Sequence, residues 1–229
     1  MPHTVLAIGG HIGDMELTAG PLLAETILKG GRGIIVAATY GERGHPRLTP
    51  SEYREQKLAE ARRFAGVIGS EFRALDYSDG FLPDDDAPAE QVAAIIRDVK
   101  PDIVVAHWKR SIHRDHSRAA ELAERAVFLA AVPFDDGRAR HGVTHFLHAD
   151  NWEDADGFDP DCFVEISADA YGRWREAIEG HAFARGETYG FRYIDYYSAR
   201  MTSTGCLAGV PRACAFARGG DRVLSRIDV

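Results

Sequence analysis

The sequence predicts an α/β fold, a Rossmann-like, mostly parallel sheet with helices on both faces and a C-terminal elaboration. Three observations predict it. Short apolar runs closed by glycine alternate with amphipathic stretches of helical period. The helical stretches carry start and stop signals. The densest polar clusters fall directly after apolar runs, where doubly wound sheets collect their functional groups.

Each element follows from its residues. "TVLAIGG" (residues 4–10) is a buried-type strand, β-branched at its start and stopped by glycines. "MELTAGPLLAETILKGG" follows at helical spacing, with Pro21 marking where the regular helix begins and Gly30-Gly31 its stop. "GIIVAATYG" is the second strand. "TPSEYREQKLAEARRFAGVIG" opens on a Thr/Ser cap and runs as a helix to Gly66 or Gly69. "EFRALDYSDG" alternates and then turns. "APAEQVAAIIRDVKPD" is a helix ended by Pro101, "IVVAHW" a strand, and "SRAAELAERAVFLAAV" a helix capped by Ser117. After Pro133 the rhythm changes. "VTHFLHAD" and "CFVEIS" read as strands and "ADAYGRWREAIEGHAFA" as a helix, while the aromatic tail from Gly186 shows no clear period. The reading is one domain over residues 1–229, with a Rossmann-like core at 1–132 and an elaboration at 133–229.

Bulk properties narrow the function. Hydrophobic residues make up 45% and charged residues 27%, ordinary for a soluble enzyme. A formal net charge of −8 argues against a nucleic-acid backbone as partner. No apolar run has the length of a membrane span, and "MPHTVLAIGG" reads as a first strand, not a signal peptide. The expected location is the cytoplasm. Cys162, Cys206 and Cys214 form no CxxC pair, so reduced thiols are expected.

The chemistry concentrates in two clusters. His11, Asp14 and Glu16 follow the first strand, and "HWKRSIHRDH" (107–116) follows the fourth, so both face one crevice at the strand ends. Imidazole and carboxylate suit a catalytic zinc held by three protein ligands. His11, Asp14 and a histidine of His113-Arg114-Asp115-His116 supply such a set. Two histidines and a carboxylate also make the facial triad of non-haem iron, so Fe2+ is the alternative to Zn2+. A phosphate cradle is disfavoured, because "GGHIGD" supplies neither G-x-G-x-x-G nor a Walker loop.

These motifs resemble the LmbE-like, or PIG-L, family of zinc-dependent N-deacetylases. Its A-H-P-D-D-x-E-L signature stands here as Gly10-His11-Ile12-Gly13-Asp14-Met15-Glu16-Leu17, and its H-P-D-H as His113-Arg114-Asp115-His116. Thr39–Gly44, Arg54-Glu55 with Glu60, and Asp79-Gly80 match intervening family features in order. The resemblance implies a small N-acetylated substrate, an amino sugar or its conjugate, and a homo-oligomer. It implies His11, Asp14 and His116 as metal ligands, His113, Asp115 and Glu16 as catalytic candidates, and Arg54, Glu42 and Asp79 as substrate-binding candidates.

One departure bears on the mechanism. The family's first Asp, its general base, is Gly13 here. Loss of a general base commonly forfeits roughly 10²–10⁴-fold of rate. Glu16, Glu42, Asp79, Asp115, Glu153 and Asp154 are the replacement candidates. A second reading is a family member that keeps the metal but has lost hydrolysis and serves as a ligand-binding or regulatory subunit. His181, next to Phe183, reads as a core histidine, and the tail tyrosines as packing or a subunit contact.

Overall fold

The computed structural model describes residues 2–133, 137–154 and 156–219. Strands β1 (Thr4–Gly9), β2 (Arg32–Thr39), β3 (Glu71–Tyr77), β4 (Ile103–Ala106), β5 (His145–Ala149), β6 (Cys162–Glu165) and β7 (Ala213–Arg218) form one sheet in the order β3-β2-β1-β4-β5-β7-β6. The first five strands in that order are parallel. β7 joins β5 and β6 antiparallel to both. The helices are α1 (Asp14–Thr18), α2 (Gly20–Leu28), α3 (Pro50–Ile68), α4 (Ala87–Val99), α5 (Arg114–Ala131), α6 (Ala168–Ile178) and α7 (Tyr193–Ala208).

Strand alternation splits the core in two. Leu6, Ile8, Ile34, Val36 and Val104 pack against α4 and α5 on one face. Val5, Ala7, Ile35 and Val105 pack with α2, α3, α6 and α7 on the other. Both faces are therefore covered, as all-apolar parallel strands require. Trp174 of α6 is fully buried, and its indole N–H donates to the Glu16 carbonyl at 2.9 Å. Gly20 makes room for it, since a Cβ there would lie 2.8 Å from the indole.

The regular helix begins near Pro21 as expected, since α2 starts at Gly20 with Pro21 in its first turn, and the residues before it form the separate short α1. The elements differ from the sequence expectations in three places. α5 starts at Arg114, capped by His113 and not by Ser117, because the His113 ring accepts the Asp115 N–H at 3.3 Å. α6 ends at Ile178, and residues beyond it turn. The tail without a clear period contains α7 and is followed by β7.

β1 lies beside β4, with Ile8 opposite Ala106. From β1 the chain moves outward to β2 and β3, whereas β4 continues to β5 on the other side. The sheet thus has its switch point between β1 and β4, and both polar clusters sit there.

Candidate active site

The turn after β1 delivers the first cluster. Gly13 caps α1 with φ 109°, a left-handed conformation that glycine adopts without strain, and Glu16 accepts its N–H at 2.9 Å. This turn places His11 and Asp14 in the crevice, and the first turn of α5 places His116 opposite. His11 Nδ1 lies 3.2 Å from Asp14 Oδ2 and 3.2 Å from His116 Nε2. His116 Nε2 lies 3.4 Å from Asp14 Oδ2. Two donors on one tetrahedral zinc are about 3.3 Å apart, from bonds of roughly 2.0–2.1 Å.

The outer ring nitrogens face carboxylates. His11 Nε2 is 3.1 Å from Asp79 Oδ1 and 3.5 Å from Asp115 Oδ2. His116 Nδ1 is 3.2 Å from Asp154 Oδ1. A proton held on each outer nitrogen leaves two imidazole lone pairs and a carboxylate oxygen converging on one point. That donor set fits a divalent cation.

Other combinations also gather donor atoms within 4.8 Å: His11–His113–His116, Asp14–His107–His116 and His11–Asp79–Asp115. His107 and Asp115 do not line the cavity at this site, whereas His11, Asp14, His113 and His116 do. His107 is instead fully buried between two carboxylates, 3.0 Å from Asp14 Oδ2 and 3.0 Å from Asp154 Oδ2. It braces Asp14.

The electrostatics follow from burial and pairing. Burial disfavours a charged His11, but the charge of Asp14, with hydrogen bonds that the imidazole donates to Asp115, Asp14 and Asp79, outweighs it and holds the imidazole well above its ordinary range. Burial also opposes the charge on His107, yet Asp14 and Asp154 raise it to about 9. Asp154 is held at about 2, against burial, by its bonds to His107 and His116. Glu153 moves the other way. Burial, then the charges of Asp14 and Asp154, push it up to about 7. It is the carboxyl group on the cavity wall whose environment favours proton exchange near neutrality.

The cavity has a volume of about 440 Å³. His113 and Asp79 line it as expected. Asp115 stands behind His11, accepting the Gly80 N–H at 2.7 Å, so it orients the imidazole. Glu16 does not line the cavity; it is fully buried and ties down the Gly13 N–H. Glu42 also lies outside, where it accepts the Asp79 N–H at 3.0 Å. Arg54 is turned away into a separate groove, stacked on Tyr40 and 3.0 Å from Asp76 Oδ1. Glu16, read as a catalytic candidate, and Glu42 and Arg54, read as substrate-binding candidates, thus all lie outside this cavity.

Of the opposite wall, the sequence points only to Glu153, among the candidates for the base, and the tail tyrosines read as packing or a subunit contact. Trp152, Glu153, Phe183, Tyr189, Phe191, Tyr193 and Tyr197 line that wall, all from the C-terminal third. Phe183 fills the space beside Gly13, where a Cβ would stand 2.4 Å from its ring. Lys57 of α3 is beneath, its Nζ donating to the Ile12 carbonyl at 2.6 Å. Burial lowers the pKa of this lysine, while Asp14, Glu60, Glu16 and Asp79 oppose the shift. Among the described residues, no helix is long and apolar enough to cross a membrane.

Comparison with known proteins places this geometry. Residues 6–127 match the family described as PIG-L, GlcNAc-PI de-N-acetylase. A curated 4-oxalmesaconate hydratase of Pseudomonas putida is 25% identical over 135 residues, which span 56% of this chain but only 52% of the hydratase. The crystal structure of a 4-carboxy-2-hydroxymuconate hydratase from the KT2440 strain of that organism superposes with a TM-score of 0.86, at 20% identity, over 99% of this chain and 100% of that one. An N,N'-diacetylchitobiose deacetylase from Pyrococcus horikoshii superposes at 0.79 and 22% identity, over 95% of this chain and 84% of the deacetylase. The last two are likenesses of fold. They pair the same architecture with both a deacetylase and a hydratase.

Proposed function

The chain belongs to the PIG-L, GlcNAc-PI de-N-acetylase family, and from that premise we propose that it is a metal-dependent N-deacetylase of a small amide, an N-acetylated amino sugar or its conjugate. The observation that carries this reading is the near-equilateral triangle of His11 Nδ1, Asp14 Oδ2 and His116 Nε2 on the wall of a substrate-sized cavity. These three residues hold the cation, with Zn2+ proposed ahead of Fe2+. Bound there, it supplies Lewis acidity toward a carbonyl oxygen and acidifies water.

The remaining roles fall to this chain's own groups. Glu153 takes the place left by Gly13. It accepts a proton from the attacking water as the new C–O bond forms, then gives it to the departing nitrogen as the C–N bond breaks. Its place in the cavity lining supports this, with its Oε2 3.5 Å from the outer nitrogen, Nδ1, of His116. His113 lines the facing wall, 4.5 Å from His11 between ring centroids, and donates to the oxyanion. Asp79, Asp115 and Asp154 orient the two ligand imidazoles.

A second reading, hydration of an unsaturated acid, is favoured by Gly13 together with the hydratase relative. One experiment separates the two. Zinc-loaded protein is assayed for acetate release from N-acetylglucosamine conjugates and, in parallel, for loss of conjugated-enoate absorbance. Metal-dependent acetate release supports deacetylation. Absorbance loss alone overturns it in favour of hydration. Bound zinc with neither activity leaves the ligand-binding subunit.

A further inference from the structure

Lys57 has a place in this cavity that the proposed reaction does not use. It projects from the middle of α3 and is only 5% exposed. Its Nζ makes one hydrogen bond, to the Ile12 carbonyl, although an ammonium carries three donors. No carboxylate of the described residues lies within 4.0 Å of it. The faces of Phe183 at 4.2 Å and Tyr53 at 5.4 Å take up part of its surroundings. Asp14, Glu60, Glu16 and Asp79 favour its charge only from beyond salt-bridge distance, and a buried ammonium with spare donors is costly unless an anion in direct contact completes it. Lys57 is also the only lysine or arginine among the described residues lining the cavity, and its Nζ is 3.5 Å from where a Cβ on Gly13 would stand. That puts the positive charge next to Asp14, at the reacting end of the pocket.

We infer that Lys57 is a carboxylate-recognition residue and that the substrate of this cavity is an organic acid. A single ammonium beside the rings of Phe183 and Tyr53 matches the single negative charge of a carboxylate better than the greater charge of a phosphate. The inference rests on the proposed reaction only for what happens to the acid after it binds. It would make the amide an N-acetylated acid, and in the second reading it would make Lys57 the counter-ion of the unsaturated acid.

The test uses N-acetylglycine and its neutral counterpart N-acetylglycinamide, titrated calorimetrically into metal-free and zinc-loaded protein. Metal-free protein is expected to bind the acid at least about tenfold tighter than the amide. Lys57→Met should weaken the acid by about 10–100-fold and leave the amide unchanged, because a hydrogen bond to a charged group contributes roughly 1.5–3 kcal/mol and each 1.4 kcal/mol is tenfold. Lys57→Gln, which keeps a donor for the Ile12 carbonyl, serves if the methionine variant does not fold. Equal binding by metal-free wild type overturns the inference. So does an acid preference that survives in either variant, and so does failure of both ligands to bind. A protein that takes up no zinc yet prefers the acid through Lys57 overturns the deacetylase instead and leaves this inference standing.

Discussion

The two walls of the cavity are built by different rules. One wall carries His11, Asp14, His113 and His116, each within a few residues of the end of β1 or the start of α5. Three of the four are cross-braced: Asp79 and Asp115 hold His11, Asp154 holds His116, and His107 holds Asp14. The other wall comes from residues 151–197 and consists mostly of aromatic rings on turns and on α7. A short link to a parallel strand fixes a polar atom in space, so the first wall sets the chemistry. The second wall is assembled from long-range packing and sets what the chemistry meets.

The largest expected effect breaks the first wall. His116→Ala should reduce bound zinc from about one per chain to none, measured by metal analysis of the purified variant, and abolish turnover. An unchanged zinc content would move the metal to another set of donors. Next comes the residue that joins the two walls. Glu153→Gln should retain zinc and lose roughly 10²–10⁴-fold in kcat, since the amide cannot exchange the proton. Retained kcat would return the base to Asp79 or Asp154.

A smaller effect tests how firmly the second wall has closed over the family's base. Gly13→Asp would restore the missing carboxylate, but its Cβ collides with Phe183 and its backbone sits at φ 109°. It should lower stability by about 1–3 kcal/mol in denaturant unfolding and give no gain in turnover. Faster turnover would show that Phe183 moves aside readily. The smallest effect concerns the joint between α3 and the second wall. Glu60 accepts the Ala182 N–H at 3.1 Å and the Gln56 amide at 2.9 Å. Burial opposes its charge, but His181, Gln56 and Ala182 hold its pKa below the ordinary value. A depressed folded-state pKa contributes stability above the unfolded value of 4.5, and that stability is lost as pH falls through the folded value. Glu60→Gln should therefore cost about 1–2 kcal/mol at neutral pH and flatten the acid limb of the stability curve below the usual carboxylate range.

This division also explains what could be read from the residues alone. The parallel core was legible because its strands are continuous apolar runs and its helices carry Thr49 or Pro101 as punctuation. His11, Asp14 and His116 were legible because each lies in a short motif beside such a run. α7 was not, although Tyr193, Ile194, Tyr197 and Met201 keep a helical spacing, because its polar and small residues weaken the contrast between faces. Lys57 hid in the Arg/Lys/Glu-rich surface of α3, and only the Ile12 carbonyl and the ring of Phe183, distant in sequence, give it a role. His107 lies in "HWKRSIHRDH", and Glu153, named among the candidates for the base, lies beside Asp154 in "NWED" (residues 151–154). Nothing in either segment tells a residue facing the cavity from one bracing it.

The order β5-β7-β6 has a consequence for biosynthesis. β7 is the last described strand in the chain, yet it occupies an interior position. As the polypeptide leaves the ribosome, the strands through β5 can dock in sequence, but the outer edge of β5 stays open until residues 213–218 emerge. Among the described residues β6 has no other neighbour in the sheet, and it must wait as well. The nascent chain therefore passes through a stage with an unpaired strand edge, the form in which β proteins are most exposed to misassembly. A ribosome stalled before residue 213 would hold a protein that already carries His11 and His116 and still has to close its sheet.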